Sequence, residues 1–460
     1  MGRFAFDLPN DLAPPLRDAA MRGWLSGAFD GIPVPTNRRI DGTRLTCERT
    51  EHESSYFSAV WPYADSPRVL STTTLRLREE PYSTMIELAR GAIHRLRQFA
   101  GVLTGFGFQL PDHFQRGLKE ATSSFGSLAM KLDNSSKAEV AIAQAFNLAD
   151  EAVAILANYR LKVRKQSDLA RMQVGCRLSR PLPSEEQRMY EHAFNAVRIV
   201  PDWLSIEPRE SQFDWSRLDA LVNWAAAEKL HVSIGPLVDL SSGRCPPWLL
   251  EWAGDLPNLA AFLSDFLGTL VHRYKDRVRH WQLFAGMNHA DVLGLTEDDR
   301  LRLSARVLDT VQELDPESDR SFSIAQPWAD YLVEEELTYA PYVFADTLLR
   351  VGFQVHALEV ELLSNVHTPR GGSPRDALDT VHQLELFDNL GVAQEVLVGG
   401  VGPEIVTAAL GANSMRALHW DTWSAADPCG RTPTAALVDP TGKPLPMLDH
   451  FLKLRAEWLA

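Results

Sequence analysis

The sequence predicts an α/β protein: a (β/α)8 TIM barrel in the C-terminal part, preceded by an α+β accessory domain. Three observations carry this. From about residue 175, short apolar runs alternate with amphipathic helical stretches, in roughly seven or eight repeats. Such repetition specifies parallel strands joined by crossover helices, and the count favours a closed barrel over an open sheet. The first third of the chain follows another pattern, strand-and-turn and then helical. At 460 residues, 45% of them hydrophobic and 23% charged, the chain can bury a barrel core plus a second one, which excludes disordered and fibrous classes.

The accessory domain is expected over residues 1–175. Its strand-rich part, 30–80, has β-branched and aromatic runs between Ile32 and Leu77 broken by Pro, Gly and Asp. Its helical part, 85–165, opens with Ile86, Leu88, Ala89, Ile93, Leu96 and Phe99 at three-to-four spacing. A second helix starts at a Ser136–Glu139 capping box and continues through Ile142, Phe146, Ala149, Val153 and Leu156. Thr122–Ser127 and Asp133–Ser136 read as loops. Nothing in this segment points to chemistry.

The barrel is expected over 180–460. Strands read at 194–200, 231–238, 278–284, 321–325, 353–363, 395–401 and 417–424, with helices between them and a last helix from Pro446. In such a barrel the chemistry sits at the C-terminal ends of the strands.

Composition narrows the partners. Sixty acidic against 46 basic residues give a net charge of −14, which disfavours binding to a phosphate backbone, so no nucleic-acid partner is expected. The cysteines Cys47, Cys176, Cys245 and Cys429 form no CxxC pair and read as free thiols of a reducing compartment. The first 30 residues are cut by acids and prolines and show no signal peptide, and no uncharged apolar stretch reaches about 18 residues. The expectation is a cytoplasmic protein without a membrane partner. There is no HExxH, no GxGxxG after a strand and no GxxxxGK[ST], so neither a metal nor a nucleotide cofactor is expected. GGVGPE (399–404) places glycines before a helix, a weak signal for an anion.

Several runs resemble glycoside hydrolase family 10, the xylanase family, over about 185–460. These are FNAVRIVPDWLSIEPRESQFDWSRLDALVNWAAAEKL (194–230), PPWL (246–249), RHWQLF (279–284) and WDTWSAADPCGRTPTAALVDPTGKPLPMLDHFLKL (420–454). The resemblance implies retaining hydrolysis of β-1,4-linked sugars by two glutamates. One is an acid/base in a W-D-x-x-N-E motif after strand four, the other a nucleophile in T-E-x-[DE] on strand seven. Here the count from Trp281 places Ala285 and Gly286 at the N-E positions, and Gly399 or Gly400 stands at the nucleophile. Neither glycine nor alanine transfers protons or attacks carbon. Near strand seven, Glu395 falls at the strand's start and Glu404 past its end.

Other groups remain at strand ends. Glu359 and Glu361, two apart on strand six, share a face. They read either as a displaced acid and nucleophile whose pKa values are split, or as partners of arginines in a barrel-interior ion network. Asp239 either faces them across the mouth or caps the SSG turn. Asn288, His289 and Asp291 offer acid/base chemistry or an exposed loop. Gln326, Trp328 and Tyr331 suit sugar stacking and hydroxyl recognition, or rim packing. Trp420 and Trp423, with Asp421 between them, are by the resemblance a platform over the sugar, and otherwise core. His356 reads as a core histidine. Two functions follow: a hydrolase of a β-linked, xylan-type saccharide with its carboxylate pair drawn from Glu359, Glu361 and Asp239, or an inactive barrel that binds carbohydrate or a protein partner.

Overall fold

A computed structural model describes all residues except 11, 29, 64–66, 131–134, 165, 170, 242, 290, 291, 336, 365–371 and 460. The chain divides into two units: Met1–Tyr159 with Trp328–Glu336 and Ser373–His382, and the remainder, Arg160–Pro327, Leu337–Gly372 and Gln383–Ala460.

The first unit contains strands β1 (Gly2–Asp7), β2 (Trp24–Gly27), β3 (Pro33–Val34), β4 (Asn37–Asp41), β5 (Arg44–Arg49), β6 (Ser55–Trp61), β7 (Arg68–Ser71) and β8 (Tyr82–Ser83). They form two four-stranded sheets, ordered β4-β5-β1-β8 and β3-β2-β6-β7. β1 shows the cause: in GRFAFD, Phe4 and Phe6 are buried and Arg3 is exposed, the alternation of a half-buried strand. Phe6 meets Phe57 of the other sheet with ring centroids 4.5 Å apart. β1 and β2 lie before the segment expected to be strand-rich.

Helices Thr84–Gly105, Asp112–Met130 and Ser135–Val163 follow. Thr122–Ser127, expected as a loop, lies inside the second. Its hydroxyls are satisfied one turn back, Thr122 Oγ1 donating to the Leu118 carbonyl at 2.7 Å and Ser127 Oγ to that of Ser123 at 3.1 Å, so the polar run does not break the helix. Of the expected loop Asp133–Ser136, residues 133 and 134 lie outside the described residues, and Ser135 and Ser136 already belong to the third helix. The stretch Ser136–Val163 is long and apolar enough to cross a membrane, with a mean hydropathy of 1.5 over 18 residues, half of them buried. Ile142, Phe146, Ala149 and Val153 form its buried face, and Phe146 meets Tyr63 at 5.1 Å, as in a core helix.

Among the described residues of the second unit, eight parallel strands close a barrel: β9 (Gln173–Leu178), β10 (Ala196–Ile199), β11 (His231–Ile234), β12 (His280–Gln282), β13 (Asp319–Ile324), β14 (Ala357–Leu363), β15 (Ala393–Gly399) and β16 (Met415–Trp420), with β16 pairing back to β9. Its first strand, β9, starts before the expected boundary near 180. In QVGCRL a glycine and an arginine interrupt the apolar run, so the strand carries little sequence signal.

Outward positions are apolar: Val174, Val197, Ile199, Phe322, Leu358, Val360, Val396, Val398 and Leu418. Most inward positions are polar or charged. Gly175, Arg177, Arg198, Ser233, His280, Gln282, Ser321, Ser323, Glu359, Glu361, Glu395 and His419 alternate with them, where barrels of this type commonly stack Val, Ile and Leu. A charged lumen is stable only if its groups pair, and that pairing defines the site.

Candidate active site

The lumen is organised in two layers. In the deeper one, Arg198 of β10 donates from Nε to Ser233 Oγ (2.7 Å), from Nη1 to Glu359 Oε2 (3.0 Å) and from Nη2 to Glu395 Oε2 (2.8 Å). Gln282 Nε2 donates to the other oxygen of Glu359 at 2.6 Å. His280 Nε2 lies 2.9 Å from Ser321 Oγ and 3.3 Å from Glu395 Oε1. Burial pushes the His280 pKa down to about 4, against the pull of Glu395. Burial likewise holds His419 well below the usual range, with Arg198, His280 and Arg177 acting the same way. Burial raises the carboxyl of Glu359 against the pull of Arg198. It would raise Glu395 too, but His280, Arg198 and Arg416 outweigh it and hold that carboxyl below the usual range.

The mouth layer is closed by a residue from no strand. Arg431, on the loop after β16, donates from Nη1 to Glu361 Oε2 and from Nη2 to Asp239 Oδ2, both at 2.8 Å. Ser323 Oγ donates to the remaining Glu361 oxygen at 2.5 Å. Asp421 anchors the loop. Its Oδ2 accepts from the Arg431 and Thr432 backbone amides (2.6 and 2.8 Å) and from the Thr432 and Thr422 hydroxyls (2.9 and 2.8 Å), while Oδ1 accepts from Arg177 Nη1 at 2.8 Å. Asp427 adds a second anchor, accepting from the backbone amides of Ser179 and Cys429, both at 3.1 Å. Burial works against the charge of Arg431, but Glu361, Asp239 and Asp421 outweigh it and keep the guanidinium protonated.

The backbone at the positions matched to the family's glutamates has its own consequence. Gly286 has φ +71° and Gly400 φ +68°, left-handed conformations that strain any L side chain. A Cβ on Gly400 would also lie 2.5 Å from the Ser364 carbonyl oxygen. On Gly399 it would lie 2.5 Å from Thr432 Oγ1 and 2.9 Å from Asp421 Cβ. The space for a side chain there is filled by the loop that carries Arg431. Ala285 is buried, and its backbone amide is held by the Val238 carbonyl.

The structure therefore brings Glu361, Asp239 and Asp421 together at the mouth and sets Glu359 one layer below, each bound to arginine. Of the two readings of Glu359 and Glu361, the interior ion network is the one observed. Asp239 both joins Arg431 and bonds the Ser241 hydroxyl at 2.5 Å, as a turn former does.

Other expected site residues are placed differently. Asn288 is buried and holds both backbone groups of Ala325, from Nδ2 to the carbonyl at 2.8 Å and through Oδ1 to the amide at 3.0 Å. His289 is also buried rather than on an exposed loop, Gln326 is buried, and Asp291 lies outside the described residues. Trp328 falls in the first unit, where the Arg375 guanidinium lies 5.2 Å over its ring. Neither Trp420 nor Trp423 is a platform. Trp420 points outward from β16 and donates to the Ala435 carbonyl at 2.8 Å; Trp423 donates to Glu186 at 2.6 Å and packs on Tyr190. Both are fully buried: strand alternation turns Trp420 to the helix layer, and Trp423, past the strand's end, is seated against Tyr190 of the helix Ser184–Ala193. His356 is not a core residue: its side chain is 37% exposed, and its ring accepts from the Arg320 amide at 3.1 Å.

The arginines were missed. The available signal was Arg177 and Arg198 interrupting apolar strands on the lumen parity, the same signal that singled out Glu359 and Glu361. Among the described residues no group of three or more His, Cys, Asp or Glu side chains is placed to hold a metal, and the four cysteines are separate buried thiols.

Comparison with known proteins bears on the barrel. The sequence model of glycosyl hydrolase family 10 matches residues 168–289. An endo-beta-1,4-xylanase of Cellvibrio japonicus, Xyn10C, is 28% identical over 94 residues, 20% of this chain. That match spans 16% of the relative's length. Among solved structures, xylanase 10B of Thermotoga maritima aligns at 16% identity over 64% of this chain and 99% of its own, with a TM-score of 0.47. The Cellvibrio japonicus xylanase10C structure aligns at 14% identity over 64% and 73%, also with a TM-score of 0.47. Over residues 168–289, which hold strands β9 to β12, the barrel resembles the glycosyl hydrolases of family 10.

Proposed function

We propose that this chain is an inactive relative of the family 10 glycosyl hydrolases, a barrel that binds a β-linked, xylan-type saccharide without cleaving it. The observation that carries the reading is the filled position at Gly399: Thr432 and Asp421 occupy the space of a nucleophile's side chain, and Gly286 sits at a left-handed φ where the acid/base would stand. Retaining hydrolysis needs two carboxyls about 5–5.5 Å apart on an open cleft. Glu361 and Asp239 instead share one guanidinium. The cavities at this end, about 160 Å³ beside Ser179, Asp202 and Asp214 and about 30 Å³ beside Arg177, Asp239 and Arg244, fall below the roughly 300–1,000 Å³ of enclosed ligand sites. The saccharide is placed across the rim, outside these two cavities. The sequence match to family 10 is what favours a carbohydrate over a protein partner. In a cytoplasmic setting, as expected from the sequence, short saccharides would be the ligands.

The test is reducing-sugar release from xylan, xylo-oligosaccharides and mixed β-glycans, with xylo-oligosaccharide calorimetry alongside. Binding without release is expected. Release by the native chain that disappears in a folded Glu361→Gln or Glu359→Gln variant would establish a displaced catalytic pair and overturn the proposal.

A further inference from the structure

Two guanidinium groups, Arg177 and Arg244, line the crevice of about 30 Å³ at the C-terminal ends of β9 to β11, and among the described residues one of them meets a carboxylate. Arg177 is paired with Asp421, and Arg431 with Glu361 and Asp239. Arg244, half-buried on the crevice wall, makes no ion pair among the described residues; Nη1 donates to the Pro428 carbonyl at 2.6 Å. The Nε of Arg177, whose side chain is 3% exposed, has no hydrogen-bond partner among the described residues. Buried cationic donors without an acceptor are costly, and an anion supplied from outside relieves that cost.

The carboxylates of this wall are committed elsewhere. Asp239 bonds Arg431 and Ser241, and Asp202 takes the Ser205 hydroxyl. Burial lowers the pKa of Arg244, and Arg431 and Arg177 add to this against Asp239. Trp203 and Leu237 line the same crevice and limit water. Its volume is that of roughly two or three water molecules, enough for a carboxylate head with the rest of the molecule outside.

We propose that this crevice is an oxyanion site in which Arg244 and Arg177 hold a carboxylate, and that the saccharide bound at the rim is an acidic, uronate-bearing one. A guanidinium fork recognises a planar carboxylate through charge-assisted hydrogen bonds. The choice of a saccharide rests on the function proposed above; the oxyanion site itself does not.

The full chain is titrated by calorimetry at low salt with D-glucuronate, D-xylose and inorganic sulfate, and then with xylo-oligosaccharides. Glucuronate is expected to bind at least about tenfold more tightly than xylose, to compete with sulfate and to weaken as salt rises. Arg244→Gln keeps a donor for the Pro428 carbonyl and removes the charge, and should weaken glucuronate by about tenfold or more at an unchanged unfolding midpoint. If that variant proves unstable, Arg244→Lys keeps the charge without the fork and should lose most of the preference for glucuronate over xylose. Sulfate binding that depends on Arg244, without glucuronate binding, would keep the oxyanion site and overturn the uronate as its ligand. No binding of either anion, or binding indifferent to Arg244, overturns the site. Xylo-oligosaccharide binding reports separately: its absence beside intact anion binding sinks the carbohydrate reading alone.

Discussion

The two layers of the lumen solve one problem in different ways. Both bring carboxylates from β14 face to face with an arginine. In the deep layer every partner sits on a strand: Arg198, Ser233, Gln282, Glu359 and Glu395 are placed by barrel register and cannot leave without breaking it. In the mouth layer the cation comes from a loop, and Asp421 and Asp427 must first fold that loop over the strand ends. The difference separates core from mouth. A strand network this deep is a core, whereas a loop residue seated between Glu361 and Asp239 covers the end where such barrels do chemistry.

The comparison breaks most readily at Arg198. Arg198→Met leaves Glu359 and Glu395 buried without their guanidinium, and removing one partner of a buried ion pair commonly costs about 3–5 kcal/mol. Urea unfolding should show this as a large fall in midpoint. Arg431→Ala is expected to cost about 2–3 kcal/mol, because Asp239 keeps partial access to water and the Asp421 anchor uses the residue's backbone rather than its side chain. A loss at Arg431 equal to that at Arg198 would mean that the loop is as much core as the strands.

Acid sharpens the same contrast. His280 in the deep layer has a folded pKa of about 4 against about 6.5 in an unfolded chain. The unfolded state therefore takes up its proton first as pH falls. Stability from this group is complete above about pH 6.5 and is lost progressively down to about pH 4, a gap corresponding to about 3 kcal/mol at most. His419, pushed in the same direction, adds to the slope. Urea midpoints measured from pH 7 to pH 4.5 should fall in the native chain and fall less steeply in His280→Gln. Parallel curves would show that the deep layer is not where acid acts.

What was legible follows from the physics of each element. Strands β10 to β16 were readable because outward apolar positions and turn residues recur at a fixed spacing. β9 was not, since Gly175 and Arg177 serve the lumen and spoil its apolar run. Glu359 and Glu361 were legible as lumen residues from parity alone, but parity does not say what faces them. The partners Arg198 and Arg431 lie 161 and 70 residues away in the chain, so only closure of the barrel and folding of the loop reveal them. Trp420 and Trp423 show the opposite failure: a resemblance in order and spacing suggested a sugar platform, while side-chain direction on and after β16 sends both rings into the helix layer.

The smallest effect tests the mouth at its tightest point. Gly399→Ala places a methyl group 2.5 Å from Thr432 Oγ1 and 2.9 Å from Asp421 Cβ, an overpacking expected to cost about 1–2 kcal/mol. Thr432→Ala alone removes the hydroxyl that bonds Asp421 and should cost about 1 kcal/mol. Combined, the two changes should destabilise by less than their sum, by about 0.5–1 kcal/mol, because removing Oγ1 relieves the tighter of the two contacts while that with Asp421 Cβ stays. Additive losses would mean that Thr432 does not fill the position. If the coupling is found, a larger side chain at position 399 can be seated only after Thr432 is displaced.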